Sequence, residues 1–61
     1  MINEHYIKAS DRQSVIVSRE DDGMALSVHI AGGHIMVMLD KKESRQLLEG
    51  IQDIMSRLEE E

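Results

Sequence analysis

Cysteine and proline are absent from the 61 residues, as are Trp and Phe, and one tyrosine is the whole aromatic complement. Without thiols there are no disulfide staples and no thiolate metal sites, two of the usual devices by which so short a chain offsets a small core. Self-association remains, or a metal held by His, Met or carboxylate. Without aromatics, and with twelve acidic residues against seven basic for a net charge of −5, nucleic acid is a poor partner. Single strands are held on stacking platforms and duplexes by a basic field. No apolar run approaches membrane-spanning length, and the N-terminus lacks a basic segment followed by an apolar stretch. A cytoplasmic protein with no membrane attachment is therefore expected. With no proline, repeat or low-complexity tract there is no linker, so residues 1–61 read as one domain.

What is present is organised as strands followed by one helix. Val15 to Glu20, Met24 to Ala31 and His34 to Leu39 are rich in Val, Ile and alternating apolar positions. Between them lie Asp22-Gly23 and Gly32-Gly33, residue pairs that supply the positive φ of two-residue hairpin turns. With those pairs as loops, Ile30 faces Ile35, Val28 faces Val37 and Leu26 faces Leu39, while Val17 faces Val28 and Val15 faces Ile30. Both turns place the same side chains on one face, which is the internal check on the register. Residues 2–9 alternate poorly and are expected to form an edge strand. The expected fold is α+β: an antiparallel meander of three to four strands within residues 2–39, then one C-terminal helix over about residues 41–60 packed on one sheet face.

The helical reading rests on Leu47, Leu48, Ile51, Ile54, Met55 and Leu58, which share one arc of a wheel advancing about 100° per residue. Asp40 with Glu43 three residues on has the form of a capping box. The opposite face carries Arg45, Glu49, Asp53 and Arg57, a solvated surface with four-residue pairs of opposite charge. Gly50 is unusual in mid-helix, where glycine costs about 1 kcal/mol relative to alanine. It marks either the approach of another backbone or a tolerated flaw.

One helix can shield one sheet face. The other face is expected to present Ile16, His29, Met36 and Met38, with Ala25, Ala31, Ser18, Ser27 and His34 around them. Apolar patches of this kind mark interaction sites, and flexible methionine suits them. Ile16, His29, His34, Met36 and Met38 are therefore the expected oligomer interface, most simply between two copies related by a two-fold axis. In this reading Gly32 and Gly33 are turn residues. A phosphate-cradling loop would need a following helix, and a strand follows here.

Two chemical readings compete with plain packing. His29 is expected across from Met36, with His34 and Met38 on the same face, and imidazole with thioether is a ligand set for Cu(I). Half-buried His and Met are more often packing residues, so this ranks below the binding readings and no metal or cofactor is assigned. Lys41, Lys42 and Arg45 cluster at the helix start, beside N–H groups that favour anions. His29, His34, Lys41, Lys42 and Arg45 are thus the candidates for a small anionic ligand such as a nucleotide. The simpler explanation is that the lysines answer the Asp21-Asp22 turn at the same end of the sheet. No catalytic constellation can be placed, and the chain reads as non-enzymatic.

In size, acidity and strand-strand-strand-helix form, the chain resembles the small accessory proteins encoded by bacteriophages and prophages. That resemblance implies a protein that binds and blocks a host protein, or one that sequesters a signalling nucleotide of host defence. It rests on form along the whole chain, without a motif, and assigns no residue a role. The leading expectation is a homo-oligomeric, non-enzymatic binding protein, an inhibitor of a host protein. An oligomer holding an anionic nucleotide between subunits is the alternative.

Overall fold

The computed structural model describes residues 3–60, and the strand expected over residues 2–9 reaches one residue outside that range. Four strands, β1 (Glu4–Ser10), β2 (Gln13–Glu20), β3 (Gly23–Ile30) and β4 (Gly33–Leu39), precede one helix, α1 (Lys41–Glu59). The strands pair antiparallel in chain order, so the sheet is a simple open meander with β1 and β4 at its edges. The helix packs on one face. Among the described residues no helix is long and apolar enough to cross a membrane.

The two expected faces are present, but the pairing within them is displaced. Ile30 lies opposite Gly33, Val28 opposite Ile35 and Leu26 opposite Val37, while Val17 lies opposite Leu26 and Val15 opposite Val28. Each partner is two residues from the expected one. An even displacement preserves the face of every side chain, because the pleat repeats every two residues.

The cause lies in the turns. The β2–β3 loop is Asp21-Asp22, and Asp21 itself takes the positive φ of 50°, which a short polar side chain tolerates. Gly23 is a strand residue, needed for room. A Cβ there would collide with the Leu39 carbonyl oxygen and lie 3.1 Å from Asp40 Cα. The β3–β4 loop is Ala31-Gly32, with Gly32 at φ 85° in the second central position, where a type II turn demands glycine. The first turn, Asp11-Arg12, has no glycine. The Ser10 hydroxyl accepts from the Arg12 N–H at 3.3 Å, and a register irregularity between Lys8 and Ser10 absorbs the geometry. Serine makes this kind of turn with its own side chain.

The helix begins as the sequence predicts. Asp40 Oδ1 accepts from the Glu43 N–H at 2.7 Å, Glu43 Oε1 accepts from the Asp40 N–H at 3.0 Å, and the Ser44 hydroxyl donates to the Asp40 carbonyl at 2.6 Å. Of the two expected charge pairs on the outer face, Asp53 and Arg57 meet at 3.0 Å; no Arg45–Glu49 ion pair forms. A Cβ at Gly50 would meet nothing within 4 Å beyond its own stretch of helix among the described residues, so within one subunit the glycine is a tolerated flaw.

The core is slight. Among the described residues Ala25, 2% exposed, and Ser27, 6% exposed, are the buried ones, and none of them is in the helix. Both lie on the middle strand β3 facing away from the helix, and their burial follows from their size. Ser27 lies between Ile16 and Met36, and Ala25 between Ser18 and Met38, so small side chains sit in a trough between larger ones.

Candidate functional site

The helix shields only part of its own side of the sheet. Its backbone comes near β3 and β4 alone, beside the Leu39–Asp40 junction from which it springs. Farther along it stands off, leaving a cavity of about 290 Å³ lined by Ile7, Val15, Val17, Met24 and Leu26 below and Ser44, Leu47, Leu48 and Ile51 above. Beyond that cavity Ile54, Met55 and Leu58 are about half exposed, as are Ile30, Ile35 and Val37 on the same side of the sheet. The expectation that the helix accounts for one whole face is thereby corrected. Its length suffices, but its tilt does not lay it along the sheet.

The second face is as the alternation implies, extended by β1. Tyr6 lies opposite Ile16 and Lys8 opposite Ser14, which adds the tyrosine to the surface of Ile16, His29, His34, Met36 and Met38. Tyr6, Met36 and Met38 are each exposed by more than half. The weak alternation of the first strand hid this contribution, although Tyr6 two residues before Lys8 was the available signal. Both faces of one sheet are therefore apolar and open.

The surface area expresses the same thing as a quantity. A folded monomer of 7.0 kDa should expose about 4,000 Å², whereas this chain exposes 5325 Å². The excess is about 1,300 Å². The radius of gyration is 13.0 Å, against about 10.5 Å for a compact chain of this length.

His29 lies opposite His34 rather than Met36, and their rings stack with centroids 5.1 Å apart and planes 15° from parallel. Ring-nitrogen lone pairs lie in the ring planes, so two stacked imidazoles do not converge on one ion. Met36 lies opposite Ser27 instead. Among the described residues no group of three or more His, Asp or Glu is placed to hold a metal.

The candidates for an anionic ligand fall into two separate groups. His29 and His34 stand next to the Ala31-Gly32 turn, while Lys41, Lys42 and Arg45 follow Leu39 at the opposite end of β4. Leu39 lies five residues along the strand from His34, about 16 Å at about 3.3 Å per residue. Within one subunit these groups cannot share a small ligand. The helix N-terminus is moreover already served by the carboxylates of Asp40 and Glu43, which take up two of the N–H donors an anion would use. Among the described residues Lys41 and Lys42 form no ion pair with Asp21 or Asp22, although turn and helix start share an end of the sheet.

An open hollow of about 620 Å³ lies between the first and third turns, lined by Ser10, Asp11, Arg12, Gln13, Ile30 and Ala31. Within it the Ser10 hydroxyl donates to Gln13 Oε1 at 3.4 Å. The fold and its surfaces thus define an α+β protein of the meander-and-helix type with two uncovered apolar faces. No family model matches the chain, and no curated protein or solved structure matches it.

Proposed function

We propose that this chain is a non-enzymatic binding protein that works in the cytoplasm as a homo-oligomer and acts by occupying the surface of another protein. One observation carries the reading: the single chain exposes about 1,300 Å² more surface than a folded monomer of its mass should. Exposed aliphatic side chains such as Ile30, Ile35, Ile54 and Leu58 contribute to that surface and are unfavourable in water, and a second copy is the simplest cover, since closed two-fold pairs are the commonest oligomers. The remaining apolar face then serves a partner protein. A net charge of −5 per chain favours a basic partner surface. Blocking a host protein, as the form-level resemblance to phage accessory proteins implies, is one role of this kind.

Native mass spectrometry of protein taken directly from cells tests the reading. Masses at multiples of 7.0 kDa, with a co-purified protein and no retained small molecule, are expected. A 7.0 kDa species that persists at high concentration sinks the proposal. A retained nucleotide would replace it with the sequestering alternative, in which Lys41, Lys42 and Arg45 of one subunit meet the His29 and His34 region of another.

A further inference from the structure

Resting on that reading of a homo-oligomer, we infer that self-association takes place on the helix side of the sheet. Each of two copies lays the distal half of its helix on the bare corner of the other's sheet. The sequence alone points to the opposite face, because it treats the helix as a complete cover; the structure removes that premise.

Among the described residues thirteen large hydrophobics stand well exposed, and all but Tyr6, Met36 and Met38 are on the helix side. They fall into two sets that fit each other. Ile54, Met55 and Leu58 form an apolar stripe with no sheet beneath it, and Val28, Ile35 and Val37 form a strip of sheet with no helix above it. Within one chain the helix tilt keeps the sets apart. Two copies related by a two-fold axis satisfy both at once, since the stripe of each meets the strip of the other, as an isologous interface requires.

The area agrees with this occupant. An excess of about 1,300 Å² per copy over a compact monomer, spread over both faces, leaves room on the helix side for an interface of the size that obligate homodimers bury, about 2,000 Å² or more in all. Aliphatic composition agrees as well, because obligate interfaces resemble a domain core cut in two. A closed pair also accounts for the open crevice under the helix. Val15 and Leu26 of the crevice are the cross-strand neighbours of Val28 and Val37 in the bare strip, so one interface reaches both.

The test uses the unaltered protein. An equimolar mixture of isotope-labelled and unlabelled chains is examined by isotope-filtered NMR, with mass measured by light scattering on the same sample. Expected are intermolecular contacts between the methyls of Ile54 or Leu58 and those of Ile35 or Val37, with a mass twice that of one chain. Intermolecular contacts confined to Met36 and Met38 would overturn the inference while leaving the homo-oligomer intact. A single-chain mass would remove both. Contacts on the two faces together would uphold the inference within a larger assembly. In parallel, Ile35→Glu, at a side chain already 65% exposed in one subunit, should weaken dimerisation by on the order of a hundredfold, whereas Met36→Glu should leave it unchanged. An unaltered dimer in Ile35→Glu refutes the placement.

Discussion

Replacing Gly23 with alanine should destabilise the fold more than any other single methyl added at a glycine of this chain. The methyl would project onto the Leu39 carbonyl oxygen, and the Leu39 carbonyl carbon and Asp40 Cα, each 3.1 Å away, close off the directions in which it could turn. All three are backbone atoms, so no side chain can rotate aside. The start of β3 must part from the end of β4, and Leu39–Asp40 carries the helix cap with it. Overpacking costs about 1–3 kcal/mol, and a backbone obstacle puts this case in the upper half, about 2–3 kcal/mol. For a domain whose whole stability is on the order of 3–9 kcal/mol, that is a loss of about 10–20 °C in Tm. Thermal melts followed by far-UV circular dichroism at one fixed chain concentration measure it. Gly33→Ala is the control, since a methyl there meets nothing within 4 Å and the backbone is not in the left-handed region; it should be neutral or slightly stabilising. A Gly23→Ala protein that melts within about 2 °C of the parent would refute the steric role of this residue.

Gly32→Ala should lose about 1 kcal/mol despite open space around it, because φ is 85°; denaturant titration at constant m-value is the check. Gly50→Ala, with no neighbour within 4 Å, should gain about 1 kcal/mol in the same titration, and a loss would place a second backbone against Gly50 in the assembly. Asp40→Ala should lose about 1 kcal/mol and Asp40→Ser should restore most of it, because the side chain accepts from Glu43 N–H at 2.7 Å. Self-association should tighten as salt is raised, since chains of charge −5 repel one another; sedimentation equilibrium at low and high ionic strength would show a weaker dimer at high salt if interface ion pairs held it instead.

Alternation carried the faces of the sheet, and it did so even though each hairpin partner was misplaced by two residues. Val15, Val17, Leu26, Val28, Ile35 and Val37 share a side in either register, because only an odd slip would move them. Turn chemistry was less legible, since a glycine can stand at a hairpin for its φ or for its missing Cβ. Gly23 does the second, while Asp21 assumes the strained angle. The same two-residue displacement set His34 rather than Met36 across from His29, which dissolves the soft-metal pairing. The helix cap was readable from Asp40 and Glu43 because it is local. Helix tilt was not, because a 3.6-residue period gives length and facing side but no angle at the Leu39–Asp40 junction.

That unreadable angle determines how the two faces divide their work. On the helix side the open residues are Val, Ile and Leu with one methionine; on the other they are Tyr, Met, His and Ser. Aliphatic surface has no acceptable state in water and no means of adapting to several shapes, so it suits a contact made once and kept. Methionine and tyrosine tolerate exposure better, repack around different shapes, and are enriched where partners come and go. Ala25 and Ser27 at the centre of that second face are small and buried, so a partner would meet the larger Tyr6, Met36 and Met38 around them. If the helix lay flat along its sheet, the aliphatic residues would close on each other and the chain could stand alone, with the second face as its sole sticky surface. In the proposed homo-oligomer, substitutions should separate the two roles: Ile35→Glu is expected to weaken the dimer by on the order of a hundredfold, and Met36→Glu to weaken partner binding alone. A Met36→Glu protein that loses its dimer would show that the faces had been assigned the wrong way round.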